Sequence, residues 1–434
     1  MSRKIGRFTA YNNAFVDATI DSHINIISKM VLQEIPNVIS IILVGGFGRG
    51  EGSAEVTSDR HVMPLKDYDF AIVVKQMPKR KTVEKVLEKV YQAIKVSSTE
   101  NELFRFSSFA VDLEFRTTNM LVSCDIWDYD FRAASQLLYG EDVRKMFRFQ
   151  AQDIPLSSGL KLLFEKITGL IGHFRCEYLE DRSPSRQQRK AITYECMKTY
   201  VEMCTALCIL AGNYRPTYKG RMKIFDTVFE DRHGELLAQL PHLPQMVRDA
   251  TEFKLKPEFD KVTLNPIDLW FKTRDDLEKV LKYYIRKFFK ISVSDWSDFV
   301  RVALFPMWQE YTLARTRYYL NRRFGIKSSL FVRLTDIIMQ IYLNSIHAIS
   351  LFRKLKKISL RQFLCACSPA IKLFLASILI LFAINRDRSV RWEYLNQAET
   401  MLRYCAPFGN IVLQDWSDFR LVYLQTYKLY DGPK

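Results

Sequence analysis

Val44-Gly45-Gly46-Phe47-Gly48-Arg49-Gly50-Glu51-Gly52-Ser53, followed after an insert by Lys66-Asp67-Tyr68-Asp69-Phe70, is the stretch on which the reading of this chain turns. An apolar run, Ile39 to Val44, leads into the glycines, and another, Phe70 to Val74, follows the acids. Both are short, β-branched and bounded by turn residues, which predicts strands. Side chains two apart on a strand share a face, so Asp67 and Asp69 are expected to project together. Carboxylates that close repel unless a cation lies between them, and in phosphate sites the hard cation that oxygen pairs favour is Mg²⁺. A glycine turn beside them lets backbone N–H groups approach a polyphosphate. The pattern points to a metal-bound nucleoside triphosphate (NTP).

Further along, Ser107 to Arg116 holds a second acidic strand: from Val111 to Arg116 apolar and polar residues alternate, so Asp112 and Glu114 share one face. Two-metal phosphoryl transfer needs ligands for both ions and a carboxylate near the attacking hydroxyl. Glycine turn, paired acids and third acid, in that order, are more specific than any one of them.

This ordered set resembles the polymerase-β superfamily of nucleotidyltransferases, whose pattern is an apolar strand, Gly-Gly or Gly-Ser, an acid-x-acid strand and a third acid. Gly45 and Gly46 match the signature loop, with Gly46 where many members carry Ser. The resemblance implies an enzyme that uses Mg²⁺ (or Mn²⁺) and an NTP substrate. Asp67, Asp69 and Asp112 would be the metal ligands and catalytic acids, with Glu114 the reserve for the third. Gly45, Gly46, Arg49 and Ser53 would hold the triphosphate. The chain departs from compact members in the insert Glu51 to Lys66, for which the pattern offers no role to Glu51 or His61. More weakly, Asp130 to Asp142 is similar to the segment that closes the catalytic domain of small-molecule nucleotidyltransferases. The helices that follow, with Lys198 and then Gly212 to Tyr218, are arranged as in some of those enzymes. Lys198 would then reach a phosphate, although a lysine beside Met197, Tyr200 and Val201 also suits a snorkelling position. Tyr214, Tyr218 and Arg221 would line the acceptor opening. The expected fold is α+β: a nucleotidyltransferase domain with a mixed sheet and flanking helices, then a mostly helical region.

Composition bounds the rest. At 434 residues, 48% of them apolar, the chain is long enough for two or three domains with substantial cores. Eight cysteines show no CxxC pairing, and no secretory signal opens the chain, so a reducing cytoplasm is expected. Cys204 and Cys208, four apart on an apolar helix, and Cys365 and Cys367 read as core residues. The net charge of +16 is unevenly spread, since residues 1–150 hold 20 Lys and Arg against 19 Asp and Glu. The basic remainder implies an anionic partner: nucleic acid, an acidic glycan or a membrane face.

Three domains are expected, at 1–150, 151–255 and 256–434. Helices are predicted at Thr19 to Glu34, Lys81 to Lys95, Ser158 to Leu179, Arg186 to Leu210, Asp268 to Phe289, Asp295 to Tyr319, Leu330 to Ile349 and Leu360 to Ile384. Pro155 to Ser158 reads as a linker ending in a helix cap. The hexapeptide Ser294-Asp295-Trp296-Ser297-Asp298-Phe299 recurs as Gln414-Asp415-Trp416-Ser417-Asp418-Phe419, each predicted to cap a helix with its tryptophan beneath. The apolar run Phe363 to Ile384 is interrupted by Pro369 and Lys372, which favours a buried helix over a membrane span.

Several acceptors share this chemistry. A small hydroxylated molecule suits the antibiotic-type resemblance best. RNA 3′ ends, a nucleotide acceptor giving cyclic or oligomeric products, or a protein hydroxyl are the alternatives. A non-catalytic nucleotide-binding module is the rival from another class.

Overall fold

A computed structural model describes residues 6–10, 13–56, 62–65, 67–94, 111–118, 125–146, 150–180, 183–303, 307, 316, 320, 325, 328–355, 369–405 and 412–430. His61, Lys66, Ser107 to Ala110, Cys365, Cys367 and most of Leu304 to Tyr319 lie outside these residues. The fold is α+β. The chain divides into two compact units, residues 1–154 with 186–263 and residues 155–185 with 264–434.

That division differs from the three consecutive domains read from the sequence. The helices Leu156–His173 and Arg186–Leu210, both within the expected domain 151–255, belong to different units. Proline and polar clusters mark where the chain can bend, but units are decided by which apolar faces meet. The expected cap is also corrected: Pro155 occupies the N-cap position, and Ser157 and Ser158 lie inside the helix.

In the first unit a four-stranded sheet runs in the order β5-β4-β1-β6, from β1 (Val38–Leu43), β4 (Tyr68–Val74), β5 (Val111–Arg116) and β6 (Gln136–Gly140). β1 is antiparallel to β4 and to β6, whereas β4 and β5 are parallel. A parallel pair needs a crossover connection, and helix α2 (Arg80–Ile94) lies within it. Helix α1 (Ala14–Glu34) starts at Asn13, whose carboxamide oxygen accepts from the N–H groups of Phe15 (2.9 Å) and Val16 (3.4 Å). Its buried Val16, Ile20, Ile24, Ile27 and Val31 recur at helical spacing. They join Val86, Val90 and Ile94 of α2 and Ile41, Leu43, Phe70, Ile72, Val111 and Leu113 of the sheet in one core. Two elements had no sequence signal. The insert folds partly into a hairpin, β2 (Ala54–Val56) on β3 (Val62–Pro64), and β6 forms a half-exposed edge on β1.

The helices of the second unit gather around α10 (Pro369–Ala383), which packs on α4 (Leu156–His173), α11 (Trp392–Cys405) and α12 (Trp416–Tyr430). Ile371 and Leu373 to Ile384 are buried, as the sequence led one to expect of this run, and among the described residues no helix is long and apolar enough to cross a membrane. The repeated hexapeptides behave alike. Asp295 accepts from the N–H of Ser297 (2.7 Å) and Asp415 from that of Asp418 (2.9 Å), so both cap helices. Both tryptophans are buried against α10: Trp296 stacks on Phe382 at 5.4 Å, and Trp416 Nε1 donates to the Ile380 carbonyl at 2.7 Å. Trp416→Ala removes a large buried ring and leaves that carbonyl without its donor. A loss of about 3–5 kcal/mol is expected, read as a lower denaturant midpoint for the second unit.

Candidate active site

The acids stand where strand alternation directs them. Tyr68 is wholly buried, packs on Phe47 at 4.8 Å and shares a 2.9 Å hydrogen bond with His23 Nδ1. With Tyr68 committed to the core, Asp67, one residue before β4, and Asp69 fall to the opposite side, and both are half-buried. On β5 the buried Val111, Leu113 and Phe115 alternate with Asp112, Glu114 and Arg116. The parallel register sets Asp69 directly beside Asp112, and Ala71 beside Glu114.

The two candidates for third acid therefore have different surroundings. Glu114 Oε1 accepts from Arg116 Nε (2.9 Å) and Nη2 (2.7 Å). Arg116 also reaches the buried Asp128 (2.9 Å) and lies over the Trp127 ring at 3.8 Å. Glu114 is thus spoken for by an arginine on its own strand, while Asp112 is exposed beside Asp69.

The glycine stretch makes a single helical turn, Gly45–Gly48, immediately after β1. Gly45 has φ +64°, and a Cβ there would overlap the Asp69 carboxylate. Only glycine serves this position: it needs the left-handed region, and the acid occupies the space a side chain would take. The Val44 N–H donates to the Asp69 carbonyl at 2.9 Å, so turn and acidic strand are held together twice over. The N–H groups of Gly48, Arg49, Gly50 and Glu51 bond within the turn, and that of Gly52 bonds to Phe8. Those of Gly45, Gly46 and Phe47 come before the turn's own bonds begin and have no partner within it.

Beyond the turn, alternate residues reach three different places, which the sequence did not disclose. Arg49 Nη1 pairs with Asp130 at 2.9 Å, and its guanidinium lies over Tyr218 at 5.0 Å. Asp130, on α3 (Ile126–Ala133), also accepts from Tyr214 Oη at 2.8 Å. Burial opposes charge on this guanidinium, yet Tyr218 and Asp130 beside it hold its pKa above the ordinary arginine range. The Glu51 carboxylate accepts from the N–H groups of Tyr218 (2.6 Å) and Lys219 (3.1 Å), at the start of α6 (Tyr218–Gln239). An acid at a helix N-terminus satisfies orphan donors and opposes the helix dipole. Ser53 Oγ donates to the Lys254 carbonyl at 2.6 Å and accepts from Lys254 Nζ at 2.9 Å. The same ammonium donates to Tyr194 Oη at 2.8 Å.

Three expectations meet different surroundings. Ser53, expected at the phosphates, is fully buried and bonded to Lys254 at the end of α7 (Leu243–Leu255). Tyr214 and Arg221, expected to line an opening, are interior. Arg221 donates to Thr205 Oγ1 (2.7 Å) and to the Pro216 carbonyl (3.2 Å). Both shifts have one cause: polar side chains that tie a loop to helices must be satisfied inside. Lys198, on α5 (Arg186–Leu210), is half-buried. Burial works against its ammonium, but Glu195, Tyr194 and Glu202 push its pKa upward, so it carries a charge that its own helix balances. Cys204 and Cys208 are free thiols in the core of this unit, as expected. Lys254, Glu51 and Asp130 are the residues that sequence reasoning missed. Lys254 lies in the run Phe253-Lys254-Leu255, where nothing but burial distinguishes it from a surface lysine.

The donor set of Asp67, Asp69 and Asp112 is all oxygen, and two of the three stand in register on adjacent strands, which suits a hard divalent ion such as Mg²⁺. Among the described residues no group of three or more His, Cys, Asp or Glu side chains is placed to hold a metal ion. Neither a family model nor a curated protein matches this chain.

Proposed function

We propose that this chain is a nucleotidyltransferase that moves a nucleoside monophosphate from an NTP to an acceptor hydroxyl, with release of pyrophosphate. The observation that carries the reading is the pairing of Asp69 with Asp112 in strand register, with the Asp69 carboxylate seated against Gly45 of the glycine turn. Asp69, Asp112 and the glycine turn thus lie at one end of the sheet, which supports the order that the polymerase-β resemblance implies.

Asp67, Asp69 and Asp112 would hold Mg²⁺ (or Mn²⁺), which when bound neutralises charge on the triphosphate and the leaving pyrophosphate. The remaining work falls to this chain's own groups. The N–H groups of Gly45 and Gly46, which precede the turn's own hydrogen bonds, face the triphosphate. Asp112, exposed and in register with Asp69, takes the proton of the acceptor hydroxyl. The acceptor oxygen bonds to the α-phosphorus in line as the bond to the β-phosphate oxygen breaks. Arg49 and Ser53 act at one remove: they anchor the loop to Asp130 and Lys254 and so position the turn. Lys198 supplies positive charge within the same unit.

A small hydroxylated molecule is the proposed acceptor. The full-length protein incubated with α-³²P-labelled NTP and Mg²⁺, first alone and then with sugars or RNA, tests both claims. Label transferred to a small molecule, with release of pyrophosphate, is expected. A labelled product without added acceptor would assign a nucleotide as acceptor, and labelled RNA would assign 3′ ends. Metal-independent binding with no pyrophosphate under any of these conditions would leave a nucleotide-binding module and end the enzymatic reading.

A further inference from the structure

Helix α9 (Ser329–Leu355) carries a feature that nucleotidyl transfer does not use. Leu330, Phe331, Leu334, Ile338, Ile341 and Tyr342 are all exposed, Leu330 at 68% and Ile338 at 65%. At about 100° per residue these six positions fall within a sector roughly 120° wide. Val332 and Asp336, on the opposite side, are buried, and Asp336 accepts from Thr316 Oγ1 at 2.7 Å. From Leu330 to Tyr342 this helix therefore presents an apolar stripe to solvent, opposite the buried Val332 and Asp336.

The charge around this stripe selects its occupant. Residues 311–361 contain eleven Lys and Arg, at 315, 317, 322, 323, 327, 333, 353, 354, 356, 357 and 361, and Asp336 is their only acid. That acid is buried and bonded to Thr316, while Arg333, which borders the stripe, is exposed. A second copy of the chain seated on this face would bring two such basic segments together and be repelled. A polynucleotide would match the charge but leave six apolar side chains in water. An anionic bilayer satisfies both demands at once, because headgroups meet the arginines and lysines while the acyl boundary takes the apolar stripe.

We propose that α9 is a docking surface for an anionic lipid bilayer, lying in the interface with Leu330, Leu334, Ile338 and Ile341 inserted and the flanking basic residues on the headgroups. Such attachment combines an apolar face with a polybasic segment, and neither alone gives stable binding. It stands independently of the proposed catalysis.

Flotation of the full-length protein with vesicles tests it, using phosphatidylcholine alone or phosphatidylcholine with phosphatidylserine. Binding to the serine-containing vesicles should be about tenfold tighter or more and should weaken with added salt. Leu334→Ser combined with Ile338→Ser should reduce that binding by about tenfold or more, since each removes apolar insertion. Both residues are exposed, so the thermal midpoint should not move. Arg353→Gln with Lys354→Gln provides a second variant, acting on charge, and should reduce the preference for phosphatidylserine over phosphatidylcholine. Equal binding to both vesicles, no binding to either, or serine-vesicle binding unaffected by the serine pair would overturn the proposal. So would a vesicle-free dimer, seen by sedimentation velocity, that the same pair dissociates, because a second copy would then own the face.

Discussion

Asp69→Asn is expected to abolish nucleotidyl transfer while leaving the first unit folded. The amide has nearly the volume of the carboxylate, so it still fits against Gly45, and the Asp69 carbonyl still accepts from the Val44 N–H. What disappears is a negative charge at the point where the sheet meets the glycine turn. A metal-assisted site draws several kcal/mol of transition-state stabilisation from such a ligand, so the rate should fall by roughly a thousandfold or more. Asp112→Asn should behave alike, because it stands beside Asp69 and loses both a ligand and the proton acceptor. Glu114→Gln supplies the contrast. Its carboxylate already belongs to Arg116, which keeps Asp128 as a second partner, and the rate should change by less than about tenfold. Label transfer measured for the three variants at matched circular dichroism separates these outcomes. A Glu114→Gln enzyme as dead as Asp69→Asn would move the third acid to Glu114, and an active Asp69→Asn enzyme would remove the metal assignment.

Asp130→Ala should produce a large loss of stability in the first unit. Arg49 and Asp130 form an ion pair whose side chains are 9% and 13% exposed, and Arg49 Nε is buried without a hydrogen-bond partner. Removing the carboxylate strands the guanidinium in the interior and takes the acceptor from Tyr214 Oη. Breaking a buried pair from one side costs about 3–5 kcal/mol. A unit of this size loses about 2–4 °C of midpoint per kcal/mol. Thermal unfolding should therefore move down by roughly 6–20 °C. Asp130→Asn, which keeps an oxygen for Tyr214 but not the charge, should fall between wild type and Asp130→Ala. An Asp130→Ala protein that melts with wild type would show that the pair contributes nothing and that Arg49 is available for other work.

The two experiments probe different levels of the same construction. Asp69 and Asp112 concern the proposed chemistry at one end of the sheet, whereas Arg49, Glu51 and Ser53 concern how the loop beside it is held. Arg49 at the end of the turn, and Glu51 and Ser53 beyond it, reach α3, the start of α6 and the end of α7. A substitution among them should therefore change activity and stability together, while Asp69→Asn should change activity alone.

Local physics made much of this protein legible from its residues. Period-two alternation from Val111 to Arg116 gave the strand at its observed bounds, and helical periodicity gave Arg186–Leu210 as it stands. The Asp-Trp-Ser-Asp-Phe repeats announced two helix caps, since capping needs only a short side chain and the next turn's N–H groups. Left-handed φ at Gly45 follows from the same short-range sterics. What sequence could not supply was partnership across the fold. The choice between Asp112 and Glu114 rests on strand register and on which acid Arg116 meets. The fates of Ser53 and Arg221 depend on helices far along the chain, and the division into two units depends on which apolar faces pack. These are long-range pairings, set by burial and hydrogen-bond satisfaction among distant segments, and no local pattern encodes them.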